Sequence, residues 1–393
     1  MTRVVTIADI AAPTPRAIAI GPFGSALRAD RYTDSGVPVV RGQNIGERWG
    51  LSTEDVVYVA RETAAEFPAS VVRPGDLVFP HRGAIGRVAL VDDQEWLLSS
   101  SMMKLTVNPE LADPRFVLLY FRDKGRDELL SRASTVGTPG IGQPLSSLRS
   151  IPITLPTLAE QQAIAEVLGA LDDKIAANTA LSVAADEYAS TLLLHSLSTE
   201  RVRLSALAQI TMGSSPKGEA LNESGDGLPF YQGVRDFGLR SPARRVYTTA
   251  PVREAAAGDL LVSVRAPVGE VNVAQERVCI GRGIAAVRSL RGKQATLLHQ
   301  LKAERDVWEP YEAEGTVFGS INRDQLHGIQ LRVVESSVAE RVEEELASIE
   351  HSISATLGEN RTLAATRDVL LPQLMSGKLR IRDAARIASE VGT

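Results

Sequence analysis

The clearest pattern along the chain is a heptad stripe of apolar residues set among polar ones. In "LPTLAEQQAIAEVLGALDDKIAANTAL", Leu155 to Leu181, the residues Ile164, Leu168, Leu171 and Ile175 recur at spacings of 4, 3 and 4. That spacing puts them on one face of an α-helix. A second stripe, Val342, Leu346, Ile349 and Ile353, repeats the first at a constant offset of 178. The two stripes predict rods of roughly 40 residues, about 60 Å each at ~1.5 Å per residue. The first is expected to continue through Leu181, Tyr188 and Leu192, the second through Leu363, Leu370 and Leu374. A lone stripe would stay wet, so the rods should pack on each other, antiparallel, or dock a partner. Asn178 follows at heptad spacing and is either a register-fixing polar residue or part of an exposed turn. Asp172 and Asp173 read as the solvated face.

Away from the stripes the period changes. "DLVFP" and "RVALV" are short runs joined by a Gly-bearing loop, a hairpin signal. "ERVCI" and "IAAVRSL" look similar, and short helical patterns lie around Pro114–Asp127 and Ala295–Trp308. These segments repeat as well. Gly137, Leu148, Ile151 and Ile153 match Gly315, Leu326, Ile329 and Leu331 at the same offset of 178. "PGDLVFPHRGAIGRVAL" from Pro74 answers "AGDLLVSVRAPVGEVNV" from Ala257 at 183. "GVPVVRGQNIG" from Gly36 answers "GLPFYQGVRDF" from Gly227 at 191. The expected fold class is α+β. Two pseudo-repeated globular domains, 1–155 and 199–333, are separated by long antiparallel helices, 156–198 and 334–393. Such an arrangement has an approximate two-fold axis, and the helices act as a ruler between the domains.

Composition adds limits. A chain of 393 residues with 44% hydrophobic content can build two or three domains. A single cysteine, Cys279, excludes a disulfide framework and reads as core filler. No signal-peptide pattern and no membrane-length apolar run is visible, so a soluble cytoplasmic protein is expected. The net charge of −5 is uneven: 0 over 1–155, −5 over 156–198, +3 over 199–333 and −3 over 334–393. A nucleic-acid surface would therefore lie on the globular segments.

Catalytic motifs are missing. "GSSPKGEA" at Gly213 has phosphate-loop glycine spacing but lacks the following Lys and Ser/Thr. "GTPGIG" at Gly137 reads as a loop. "NPEL" at Asn108 lacks the second proline of a base-methyltransferase motif. The histidines His81, His195, His299, His327 and His351 have no metal-site spacing, so no metal site is expected.

Two stretches carry a specific resemblance. "IPITLPTLAEQQAIAEVLGALDDKI" resembles the central conserved region of type I restriction–modification specificity subunits, and "LLPQLMSGKLRI", Leu370 to Ile381, the end of their distal one. The paired "GDL…R…G" hairpins are similar to their target-recognition domains. The resemblance implies a non-catalytic subunit that reads double-stranded DNA. Each globular domain would read half of a bipartite asymmetric site. The helices would set the spacing and dock two methyltransferase subunits, and restriction (translocase–nuclease) subunits would join. S-adenosylmethionine, ATP and Mg would belong to those partners, with no cofactor in this chain. The second rod lacks the "LP…AEQ" opening of the first, so the two docking surfaces are expected to differ in strength. Polar loop residues are the DNA-contact candidates. In the first domain they are Arg41, Gln43, Asn44, His81, Arg82, Thr138 and Gln143. In the second they are Gln232, Arg235, Arg265, Asn322 and Arg323. Arg82 and Arg265 stand at the same point of the repeat. The competing reading is a protein–protein scaffold with two adaptor domains on a coiled-coil strut, which the acidic pI favours.

Overall fold

The computed structural model describes residues 3–23, 26–46, 49–134, 137–312 and 319–391. Gly315, one member of the repeat, lies outside them. The chain forms two compact units, Met1–Thr179 with Gly358–Thr393, and Ala180–Leu357. Two helices, a central one (Leu158–Ser196) and a distal one (Ala339–Met375), each pass from one unit into the other.

Each unit holds the same pair of sheets. In the first, a four-stranded antiparallel sheet runs in the order 18–20, 102–106, 76–80, 89–90. A five-stranded sheet runs 32–33, 58–59, 37–40, 96–98, 71–72, with one parallel pair, Val39 opposite Leu97. In the second unit the orders are 208–212, 284–289, 260–263, 271–273 and 221–222, 247–248, 228–231, 278–280, 254–255. The parallel pair recurs, with Phe230 opposite Cys279. "DLVFP" is buried at all five positions, which is why it reads as a continuous apolar run rather than an alternating one. A two-stranded ribbon, 3–6 with 152–155 or 197–203 with 330–334, brings the ends of each sheet segment together.

The central helix starts at a reciprocal cap. The Thr157 N–H donates to Glu160 Oε2 at 2.9 Å, and the Glu160 N–H donates to Thr157 Oγ1 at 3.4 Å. Gln161 is buried beside it and joins the helix to the rest of the first unit. Its Oε1 accepts the Asp113 N–H at 3.0 Å, and Asp113 caps helix Pro114–Arg122. The distal helix meets the second unit differently: Glu343 accepts the N–H groups of Ala295 and Thr296, at the start of helix Gln294–Ala303. The "AEQ" motif missing from the second rod is thus replaced by another way of holding the equivalent short helix.

Within each unit the long helices run antiparallel. In the first, Asn178 Nδ2 donates to Glu359 Oε2 at 2.8 Å, while Asp172, six residues earlier, meets Arg367 at 2.6 Å. Ile164, Leu168 and Leu171 are buried with Leu363, Leu370 and Leu374 in the first unit's core; Ile175 is half-buried. In the second unit Val342 and Leu346 are buried with Ala189 and Leu193, and Ile349 is half-buried. Ile353 is buried as well. Asn178 is buried in the seam rather than set in an exposed turn.

Two expectations about the rods are corrected. Leu181 and Tyr188 are 60% and 62% exposed; the stripe runs instead through Ser182, Ala189 and Leu193. The 4–3 register was kept and the large side chains fall off it. Asp172 is not solvated: its side chain is 12% exposed and lies between cations, whereas Asp173 is exposed. Cys279 is a fully buried free thiol. No helix among the described residues is long and apolar enough to cross a membrane.

Candidate nucleic-acid interface

Three loops converge in the first unit: the turn after strand 37–40, the hairpin tip after 76–80, and the segment before helix Pro144–Arg149. Arg82 forms an isolated bridge with Gly140, and the Gly83 N–H donates to the Pro139 carbonyl at 2.9 Å. A Cβ on Gly42 would lie 3.6 Å from that of Ala84, so the first loop abuts the second. Arg87 reaches across to the Ile45 carbonyl at 3.1 Å. Gly83 and Gly86, at φ +76° and +87°, hold the tip in a backbone conformation that side chains disfavour.

The second unit repeats the arrangement. Arg265 forms an isolated bridge with Ser320, and the Ala266 N–H donates to the Gly319 carbonyl at 3.0 Å. The Val264 N–H donates to the Gly283 carbonyl, where a Cβ would lie 2.3 Å from the Gln232 carbonyl oxygen. The four glycines Gly75, Gly86, Gly258 and Gly269 all have positive φ, between +83° and +94°. The "GDL…R…G" pattern therefore places a glycine of positive φ at the same two points of both hairpins.

The structure sorts the candidates. Gln43, Arg82, Thr138, Gln143, Gln232, Arg235, Arg265, Asn322 and Arg323 are exposed on these loops. Arg82, Arg235, Arg265 and Arg323 have no ion pair among the described residues, which leaves four guanidinium groups open to an anion. Asn322 also caps helix Arg323–Gly328, accepting the Gln325 N–H at 3.0 Å. Arg41 is half-buried and donates to the Asp55 carbonyl.

Asn44 and His81 are corrections. Asn44 is fully buried; its amide donates to the Ser52 and Glu54 carbonyls and its oxygen accepts the Arg41 N–H. Every polar atom of that side chain is used inside the loop. His81 is 6% exposed and donates through Nε2 to the Ser100 carbonyl. Burial lowers its pKa, which favours the neutral ring. Both residues shape these loops from within. Sequence reasoning also passed over two exposed cations, Arg87 and Arg282. Arg282 sits between glycines beside Gln232, its N–H 3.4 Å from Ser215 Oγ. The flanking glycines of "GRG" after a buried strand were the available signal.

A second cluster lies on the helices. Asp186, His299 and Glu350 place ligand-type atoms within 4.8 Å of one another, which spacing along the chain could not reveal. Their oxygens are already engaged. Arg240 donates to Asp186 at 2.6 Å and to Glu350 at 3.1 Å through Nε, and Lys302 donates to Asp186. Two carboxylates and two cations balance, so a metal ion would have to displace both basic side chains. Burial and the Arg240 charge push the His299 pKa down to about 3. The neutral ring donates through Nε2 to Glu350 at 2.8 Å.

Residues 27–184 match the family model described as Type I restriction modification DNA specificity domain. The chain is 28% identical over 342 residues to a Methanocaldococcus jannaschii protein named as the type I restriction enzyme MjaX specificity subunit; the match covers 78% of this chain and 79% of that one. Its fold resembles the crystal structure of the type I restriction–modification S subunit from M. genitalium, with a TM-score of 0.58 at 17% identity over 95% and 96% of the two chains. The HsdS subunit from Thermoanaerobacter tengcongensis matches at 23% identity over 96% and 97%, with a TM-score of 0.36.

Proposed function

We propose that this chain is the DNA target-recognition subunit of a type I restriction–modification complex, and that each unit reads one half of a bipartite site. The observation that carries this reading is the repeated three-loop cluster. Each copy presents exposed Arg and Gln side chains on glycine-shaped hairpins, and Arg82, Arg235, Arg265 and Arg323 have no ion pair among the described residues. Arg pairs bidentately with guanine, and Asn or Gln with adenine, in the major groove. Arg82 and Arg265, at equivalent bridges, serve as phosphate clamps that set the register of each unit on the duplex. The chain needs no catalytic group for this role. Methyltransferase subunits dock on the acidic long helices, and restriction subunits join them. S-adenosylmethionine, ATP and Mg act in those partners.

The test is binding of the full chain, with its methyltransferase subunits, to duplexes carrying both half-sites, one, or neither. Affinity should fall steeply with salt, and both half-sites should be required for full affinity. Equal binding to all three duplexes favours the scaffold reading.

A further inference from the structure

Between the reading residues and the next strand, each unit sends its chain out to touch the long helices. In the first unit the contact is Trp49. Its indole N–H donates to Asp172 of the central helix, and its ring lies over Gly169, where a Cβ would be 3.4 Å away. Arg367 of the distal helix meets the same Asp172 at 2.6 Å, and Arg122, ending helix Pro114–Arg122, meets it at 3.6 Å. In the second unit the contact is Arg240. It joins Asp186 of the central helix to Glu350 of the distal one, and Lys302, near the end of helix Gln294–Ala303, binds the same Asp186.

These are the same position of the repeat. Trp49 and Arg240 are 191 apart, the offset that relates the surrounding sequence, and Asp172 and Glu350 are 178 apart, the offset of the rods. The backbone agrees. The Leu90 N–H donates to the Trp49 carbonyl at 2.8 Å, and the Val273 N–H to the Arg240 carbonyl at 2.9 Å. The Ser52 N–H donates to Asn44, and the Ala243 N–H to Asp236, both at 2.8 Å. The backbone is kept while the side chain at the tip changes from an indole to a guanidinium. Both are donors, and both end on helix carboxylates. Arg240 is 7% exposed, so little of its charge faces solvent.

We propose that each of these segments is a strap anchored at its tip, and that Trp49 and Arg240 are positioning residues for base reading. The base of the strap carries Arg41 and Gln43 in one unit and Gln232 and Arg235 in the other. The tip ties it to the helix segment of its own unit. The strap thereby sets how those side chains are presented to DNA, without touching DNA itself. This inference rests on the DNA-reading role proposed above.

The test uses the full chain assembled with its methyltransferase subunits. Binding is measured to the native bipartite site and to duplexes with one base changed in either half. Trp49→Phe keeps the ring and removes the donor. It should reduce discrimination in the first unit's half-site by about tenfold, the scale of one bidentate base contact, and leave the other half unchanged. Arg240→Gln should do the reverse, and Arg240→Lys should restore part of the loss. A residue that only supported folding would lower stability or overall affinity and keep the discrimination ratios. Unchanged ratios in folded Trp49→Phe and Arg240→Lys proteins overturn the proposal, as do equal losses in both halves. If Arg240→Gln does not fold, those two variants decide. A wild-type complex with no base discrimination overturns the DNA-reading role itself.

Discussion

Arg82 and Arg265 show how much a residue type tells and what it leaves out. Both are exposed at the same bridge of a repeated hairpin. As phosphate clamps, their replacement by Ala should weaken binding to all sequences alike and reduce the slope of log affinity against log salt by about 1 each. A loss confined to one base position would assign them to base reading instead. Asn44 and His81 have residue types equally suited to DNA, yet the fold spends both inside the loop. Burial decides this, and no local pattern reports it, because the groups that surround Asn44 (Arg41, Ser52 and Glu54) form a turn only after folding. Asn44→Ala would take the amide donor from the Ser52 and Glu54 carbonyls and the acceptor from the Arg41 N–H. It should cost about 1–3 kcal/mol of stability, seen as a lower unfolding midpoint with the second unit unaffected.

At the scale of elements, the long helices were legible from their 4–3 spacing and the sheets less so. Short strands buried on both faces, such as Asp76–Pro80, carry no alternation that shows which sheet they join. Leu181 and Tyr188 are large but point away from the helix seam, whereas Ser182 and Ala189 are small because they sit in it. Asp172 looked solvated because its partners Trp49, Arg122 and Arg367 lie 50 to 195 residues away. Leu346 is fully buried in the second unit's seam. Truncation to Ala should destabilise by about 2–5 kcal/mol, a cavity cost that urea unfolding would register. The buried cluster adds a pH dependence. His299 titrates near 3 in the folded chain against an ordinary 6.5, so the unfolded chain takes up a proton first as pH falls. Its contribution is present in full above about pH 6.5 and is lost as pH falls towards 3, by up to ~1.4 kcal/mol per pH unit. Asp186 sits low despite its burial, held there by Arg240 and Lys302, so its own contribution is full above an ordinary 3.8 and is lost only as pH falls below that. His299→Gln should flatten the unfolding free energy between pH 6.5 and 4; an unchanged slope would remove His299 as its source.

At the scale of the molecule, the repeat was the most legible feature, because four matched segments in order survive changes of loop length. Sheet order, parallel pair, bridge and strap all recur in the two units, while the tip residue and the helix contacts Gln161 and Glu343 differ. That is the pattern expected of one reading scaffold used twice with different loops. The bases read were not legible, since they depend on side-chain placement within the loops. The central claim is that this chain specifies a two-part DNA sequence. Its most direct test is single-molecule mapping of methylated bases in cells that express the partner methyltransferase with and without this chain. The account predicts a bipartite methylated motif that disappears when the chain is removed. Methylation that stays the same, with the methyltransferase shown to be present, would contradict it.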